Sequence, residues 1–145
     1  PDWSRGLGDV YKRQLITEMT EYASKREQFG KRIGEFGQIA AMLADSRAEM
    51  AAGRALCLDC SKQFDAGDQI PFIDIASAKL FCSEMVSRVA DRAVQVMGGL
   101  GYMEDLSDVP RLFRDVRLFR IFEGASQVQQ GNIARSMMKD NESLS

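Results

Sequence analysis

From Gln38 to Asp65, apolar and small side chains return at alternating steps of four and three: Ile39, Leu43, Ser46, Met50, Gly53, Cys57, Cys60 and Phe64. Such a heptad seam is the mark of a helix laid along a neighbouring helix. Ser46 and Gly53 are small enough to let that neighbour approach closely. The segment that follows repeats the pattern. Pro71 opens it, and Ile73, Ala76, Leu80, Ser83, Ser87, Ala90, Val94 and Met97 step by three and four. A second apolar set, Phe72, Ile75, Phe81, Met85 and Val89, covers other faces, so polar side chains keep only a stripe through Glu84, Arg88, Asp91 and Gln95. A helix apolar on most sides belongs at the centre of a bundle.

Shorter helices complete the reading. Leu15, Met19, Tyr22 and Ala23 mark one from Leu15 to about Gln28, followed by a loop to about Gly37. Gly67 ends the seam helix and Gly98-Gly99 ends the central one. Pro110 starts a fourth helix that reaches about Phe122. Ser126 and Gln129 have the spacing of a capping box for a last helix over about 127–139. No segment alternates with period two. The sequence therefore predicts an all-α fold, an antiparallel four-helix-type bundle with near-parallel packing and no sheet. Residues 1–14 carry scattered charge without helical period and are expected to be a non-native or assembly-artefact segment, with more native chain upstream. Residues 15–140 are the expected domain, and 141–145 a polar tail.

Composition removes several mechanisms. There is no histidine among the 145 residues, so a Ser-His-Asp triad, a Cys-His pair and a His-ligated metal are all excluded within the chain. Cys57 and Cys60 form a CxxC, but without a second pair or a His they cannot complete a zinc set, and no metal site is expected. Their place on the seam predicts that they pack as small apolar side chains. An odd cysteine count fits a reducing compartment. A net charge of −2 gives no reason to expect a nucleic-acid partner. No apolar run approaches the roughly 20 residues of a membrane span, and no signal-peptide pattern is present.

Three features invite a functional reading beside a plain one. Gly98-Gly99-Leu100-Gly101 follows a helix where a dinucleotide fingerprint requires a strand, so it is a helix stop or a place where a ligand approaches the backbone. Arg111, Arg114, Arg117 and Arg120 recur every three residues, as a solvated helix face or as partners for a phosphate. Glu123 stands between Phe122 and Gly124 at a break between helices. A carboxylate there either complements a helix dipole or is half-buried with a raised pKa, as a general base requires.

Together, three segments resemble the acyl-CoA dehydrogenase family. Arg26-Glu27-Gln28-Phe29-Gly30-Lys31 resembles its R-x-x-F-G segment. Residues 93–102, AVQVMGGLGY, resemble its A-V-Q-x-x-G-G-x-G-Y/F segment. Arg114-Asp115 and Ile121-Phe122-Glu123-Gly124-Ala125-Ser126-Gln127-Val128-Gln129 resemble its R-D-x-R and I-Y/F-E-G-T-S-E/Q-I-Q segments. Order and spacing agree from about Leu15 to Lys139.

The resemblance implies that this is the C-terminal helical domain of a longer protein that binds FAD and oxidises an acyl-CoA to the trans-2-enoyl-CoA. It makes Glu123 the base that removes the α-proton while the β-hydrogen leaves as hydride. It assigns Arg26 and Phe29 to the FAD of a neighbouring subunit, Gln95, Gly98 and Gly99 to its adenosine-diphosphate half, Ser126 and Gln127 to the flavin side, and Gly124 to the substrate path. It implies a homodimer or homotetramer, electron-transfer flavoprotein as electron acceptor, and a cytoplasmic or mitochondrial-matrix setting. Ala125 replaces the family's usual Thr, so one hydroxyl contact to the flavin region is lost, and Gly37 stands where many members have Gln, which puts a second polar cofactor contact in question. Two alternatives remain open: an acyl-CoA oxidase-like flavoenzyme and a non-catalytic helical oligomerisation module. Acyl specificity in this family is set largely upstream of the chain.

Overall fold

A computed structural model describes residues 3–67, 69 and 71–142. Helix α1 (Trp3–Lys25) leads into a two-residue hairpin, β1 (Glu27–Gln28) and β2 (Lys31–Arg32). A 3₁₀ turn (Ile33–Glu35) follows, and then α2 (Gly37–Asp65), α3 (Phe72–Met97) and the single turn α4 (Gly99–Tyr102). Helix α5 (Val109–Arg117) continues through a 3₁₀ turn (Leu118–Arg120), and α6 (Ser126–Glu142) ends the described chain. The all-α expectation stands, with the hairpin as its one departure. Its central residues Phe29 and Gly30 have φ of 53° and 80°, the pair of positive angles that a two-residue hairpin turn requires.

α3 is the centre of the bundle. Its buried set includes Ala76, Ser83, Met85, Val86, Val89, Ala90, Ala93, Val96 and Met97. Around it lie Leu15, Met19 and Ala23 of α1 and Val109, Leu112 and Val116 of α5. α2 runs antiparallel to α3, as the pairing order shows. Glu49 meets Arg88 and Arg92, the space at Gly53 is taken by Met85 and Cys82, and Cys57 Sγ lies 3.6 Å from Cys82 Sγ. A Cβ built on Gly53 would stand 3.0 Å from Met85 Cε, so the close approach expected at the small seam residues is real at this one. Glu49 sits between two guanidiniums. Burial raises its carboxyl pKa, but hydrogen bonds from Arg92 and Arg88 outweigh that and hold it below the ordinary value.

Several expectations need correction. The first helix begins at Trp3, well before Leu15, because extending an existing helix is easier than starting one. Tyr11 and Gln14 also find partners: the Tyr11 ring lies 6.2 Å from that of Phe119, and Gln14 Nε2 donates to Asp108. The seam of α2 is buried or half-buried over its first half and becomes exposed beyond Gly53, although Cys57 keeps its contact with Cys82. Cys57 is exposed, Cys60 is half-buried and Phe64 is 74% exposed, so the CxxC is not core. Met50 and Leu80 are only partly buried. The capping box does not form. Ser126 Oγ donates to Glu84 instead, and Gln129 Nε2 reaches the carbonyl of Glu123. Of the expected polar tail, residues 143–145 lie outside the described residues. Among the described residues no helix is long and apolar enough to cross a membrane, and no carboxylate–cysteine group could hold a metal.

Candidate functional site

The candidate residues fall into two clusters at opposite ends of α3. The first gathers the hairpin and the glycines. Arg26, Gln28 and Phe29 line a cleft of about 390 Å³ with Met97, Gly98 and Gly99. Phe29 is 92% exposed, with its ring edge-on to Phe36 at 6.2 Å. Its exposure follows from the left-handed turn, which points the side chain away from the bundle and offers a flat aromatic face to a ligand. Gln95 is exposed on the last turn of α3, beside the cleft and not among the residues that line it.

The three glycines differ in what the fold asks of them. Gly98 has φ 58°, which lets α3 stop and the chain reverse. A Cβ on Gly101 would stand 3.0 Å from Met97 Cβ and 3.1 Å from the Val94 backbone, so packing requires glycine there. Gly99 has neither reason: a Cβ on it would meet nothing within 4 Å. Gly99 is among the residues that line the cleft. Gly99→Ala should therefore leave this chain as stable as before, or more stable by up to about 1 kcal/mol from helix propensity. Gly101→Ala should cost about 1–3 kcal/mol by overpacking. Thermal melts of the two variants check this, and equal losses would contradict it.

The second cluster is built on the turn between α5 and α6. Glu123 has φ 55° and Gly124 φ 85°, two consecutive left-handed residues. For glutamate this conformation costs on the order of 1–3 kcal/mol, and such strain persists only where surrounding structure imposes it. The surroundings are visible. Lys79 of α3 donates to the carbonyls of Phe119 at 2.8 Å and Gly124 at 2.7 Å. Glu84 accepts from Ser126 Oγ at 2.6 Å and Arg120 Nε at 2.9 Å. A Cβ on Gly124 would overlap the Gln129 side-chain amide. The Gln129 Oε1 atom is buried and has no hydrogen-bond partner among the described residues. Burial pushes the Lys79 ammonium below its ordinary pKa, against the pull of Glu84 and Glu123. For Glu84, burial acts upward, but the hydrogen bonds from Ser126 and Arg120 prevail and hold the carboxyl below its usual value.

Glu123 itself is exposed, so of its two readings the half-buried one does not hold in this chain, and Ile121 and Phe122 beside it are 55% and 44% exposed. The reason is positional: the turn lies on the rim of the bundle. Gln127 is exposed next to it, while Ser126 is 2% exposed and faces α3. The hydroxyl of Ser126 is therefore engaged inside the chain. The arginine series is mostly paired. Arg111 meets Asp108 and Asp115, Arg114 meets Glu104, and Arg120 meets Glu84, which favours the solvated-face reading.

Lys79 is the residue whose role sequence reasoning missed. The signal was there: a lone charge inside the stretch Ile75–Phe81, on the helix with the least room for one. The link from Glu84 to Ser126 has no sequence signal, since 42 positions separate the two.

Known proteins resemble this chain throughout. The sequence profile described as "Acyl-CoA dehydrogenase, C-terminal domain" matches residues 10–138. The caffeyl-CoA reductase–Etf complex subunit CarC of Acetobacterium woodii is 37% identical over 124 residues, which is 86% of this chain and 32% of that protein. Among solved structures, butyryl-CoA dehydrogenase from Megasphaera elsdenii superposes with a TM-score of 0.83 at 32% identity, over 90% of this chain and 34% of that one. The FAD complex of PigA gives 0.83 at 28% identity, over 90% and 34%. The chain thus spans about a third of the length of these relatives.

Proposed function

The chain belongs to the acyl-CoA dehydrogenase family, in the part matched by the family's C-terminal domain, and from that membership we propose that residues 15–140 are the helical domain of an FAD-dependent enzyme that oxidises an acyl-CoA thioester to the trans-2-enoyl-CoA. One observation carries the proposal. The glutamate of the I-F-E-G-A-S segment is held in a strained left-handed turn by groups beneath it, with its carboxylate turned outward from the rim.

Glu123 is the base. A thioester α-proton is weakly acidic, so the carboxylate must be placed within hydrogen-bond reach of it and shielded from water. The turn supplies the placement, and Gly124 allows it, with a φ of 85° and the Gln129 amide packed where a side chain would stand. Ile121 and Phe122 supply apolar surface beside the carboxylate. Desolvation against the bound thioester would raise its affinity for the proton.

The residues present fit the cofactor. The cleft beside Gly98 and Gly99 admits a ligand against the backbone, Phe29 offers an aromatic face, and Arg26 offers a cation to a phosphate. When bound, the flavin supplies the acceptor for the β-hydride. The family resemblance adds Gln95 at the glycine end and Gln127 at the Glu123 end, both exposed. Because the clusters are separated by the stretch of α3 from Lys79 to Gly98, roughly 28 Å at 1.5 Å per residue, a cofactor shared between copies suits them. The glycine edge of one copy would serve the Glu123 end of its partner, in a homodimer or homotetramer.

A second reading is favoured by the reductase among the relatives. The same site run in reverse would reduce an enoyl-CoA, with Glu123 returning a proton to the α-carbon. Electron-transfer flavoprotein is the partner of choice in either direction, as the name of that relative's complex suggests. An oxidase would share the same site. A purely structural oligomerisation module has no use for an outward-facing glutamate in a left-handed turn.

This chain by itself should bind FAD weakly or not at all, because it carries only edge contacts. Titration of the purified chain with FAD tests this, and stoichiometric yellow protein after desalting would contradict it. Anaerobic addition of acyl-CoA to the whole enzyme tests the function: the flavin should bleach and enoyl-CoA should accumulate.

A further inference from the structure

Lys79 sends its ammonium to the turn that presents Glu123, and among the described residues its hydrogen bonds go to carbonyls. It emerges from the central helix, is partly buried, and donates to two carbonyls on either side of the Ile121–Glu123 segment. The carbonyl of Phe119 belongs to the 3₁₀ turn that ends α5, where carbonyls lack helical partners. The carbonyl of Gly124 belongs to the second of the two left-handed residues. An ammonium has three donors, so a single side chain closes both ends of the segment. Glu84 braces the far side through Ser126 and Arg120.

We propose that Lys79 is a positioning residue for Glu123: by joining the carbonyls of Phe119 and Gly124 it holds the left-handed turn from which the Glu123 carboxylate meets the α-proton. This rests on Glu123 being the base. Without the clamp, the strained residue can relax toward negative φ, and that change rotates the carboxylate away from its target. Lys79 acts through the backbone, by way of the two carbonyls it binds. Its effect should fall on the chemical step far more than on binding, since a displacement of about 1 Å costs on the order of 10²-fold in rate.

The test uses the full-length flavoenzyme with Lys79→Met, which keeps the aliphatic stem and removes the donors, and Lys79→Arg, which restores donors. Lys79→Met should slow anaerobic flavin bleaching about 10²-fold, with the Kd for acyl-CoA changed less than about threefold. Lys79→Arg should recover at least a tenth of the wild-type rate. In a Glu123→Gln background, Lys79→Met should add nothing to the residual rate. Amide hydrogen exchange over residues 119–126 should quicken in Lys79→Met, independently of activity. If Lys79→Met does not fold, Lys79→Leu, which also lacks a donor, takes its place, with the same expectations. A wild-type bleaching rate in Lys79→Met overturns the proposal, and so does an equal loss in Lys79→Arg. If Glu123→Gln alone keeps the wild-type rate, the base assignment fails instead, and the two failures are told apart by that single variant.

Discussion

Glu123→Gln in the full-length enzyme should remove nearly all turnover while fold, FAD content and acyl-CoA binding survive. The amide has the size of the carboxylate and the same backbone preferences, so the turn at φ 55° should be retained. It cannot accept the α-proton, and a positioned base contributes typically about 10²–10⁴-fold. Losses beyond that range are expected if no second carboxylate reaches the site. The nearest one on α3, Glu84, is already committed to Ser126 and Arg120. Glu123→Asp should be milder. Aspartate tolerates left-handed backbone better than most residues, but its carboxylate stands about one methylene short, a shift that costs on the order of 10²-fold. Rapid anaerobic mixing with acyl-CoA should show a flavin that scarcely bleaches in the Gln variant with substrate bound. Wild-type bleaching there would move the search for the base to the upstream part of the protein.

Met85→Asp should unfold the domain. Met85 is 0% exposed on the central helix, packed among residues of the main core cluster and against the open face of Gly53. An unpaired carboxylate at that place costs several kcal/mol, and domains of this size are stable by only about 5–15 kcal/mol. Met85→Leu, of similar volume, should cost less than about 1.5 kcal/mol. Far-UV circular dichroism with thermal or urea denaturation measures both. A cooperative melt of Met85→Asp near the wild-type midpoint would show that α3 is not the centre of the bundle.

The helical class, the central place of α3 and the close approach at Gly53 were all legible in the sequence, because each depends on a periodicity that one helix carries alone. The hydrophobic steps of α3 admit no exposed face wide enough for a peripheral position. The segment identities around Arg26, Gly98 and Glu123 were legible for the same reason: they are local strings. What the string could not tell was occupancy. The seam of α2 looks equally apolar along its whole length, yet it is well covered only up to about Gly53: Cys57 still touches Cys82 of α3 but is exposed, and Phe64 is 74% exposed. The spacing of Ser126 and Gln129 fits a capping box, but Glu84 accepts the serine proton, and a carboxylate is the stronger acceptor.

The sequence by itself determined the helical class, which helix lies inside, and which glutamate follows Ile121-Phe122 at the helix break, since periodicity and local strings are properties of contiguous residues. Only the tertiary structure decided that Glu123 is strained and outward-facing, that Gly99 is free where Gly101 is not, and that Lys79 and Glu84 brace the turn from 40 or so positions away in the chain. The physical reason is that strain, open space and a shared proton are set by groups that meet only when α3 is packed beneath the α5–α6 turn.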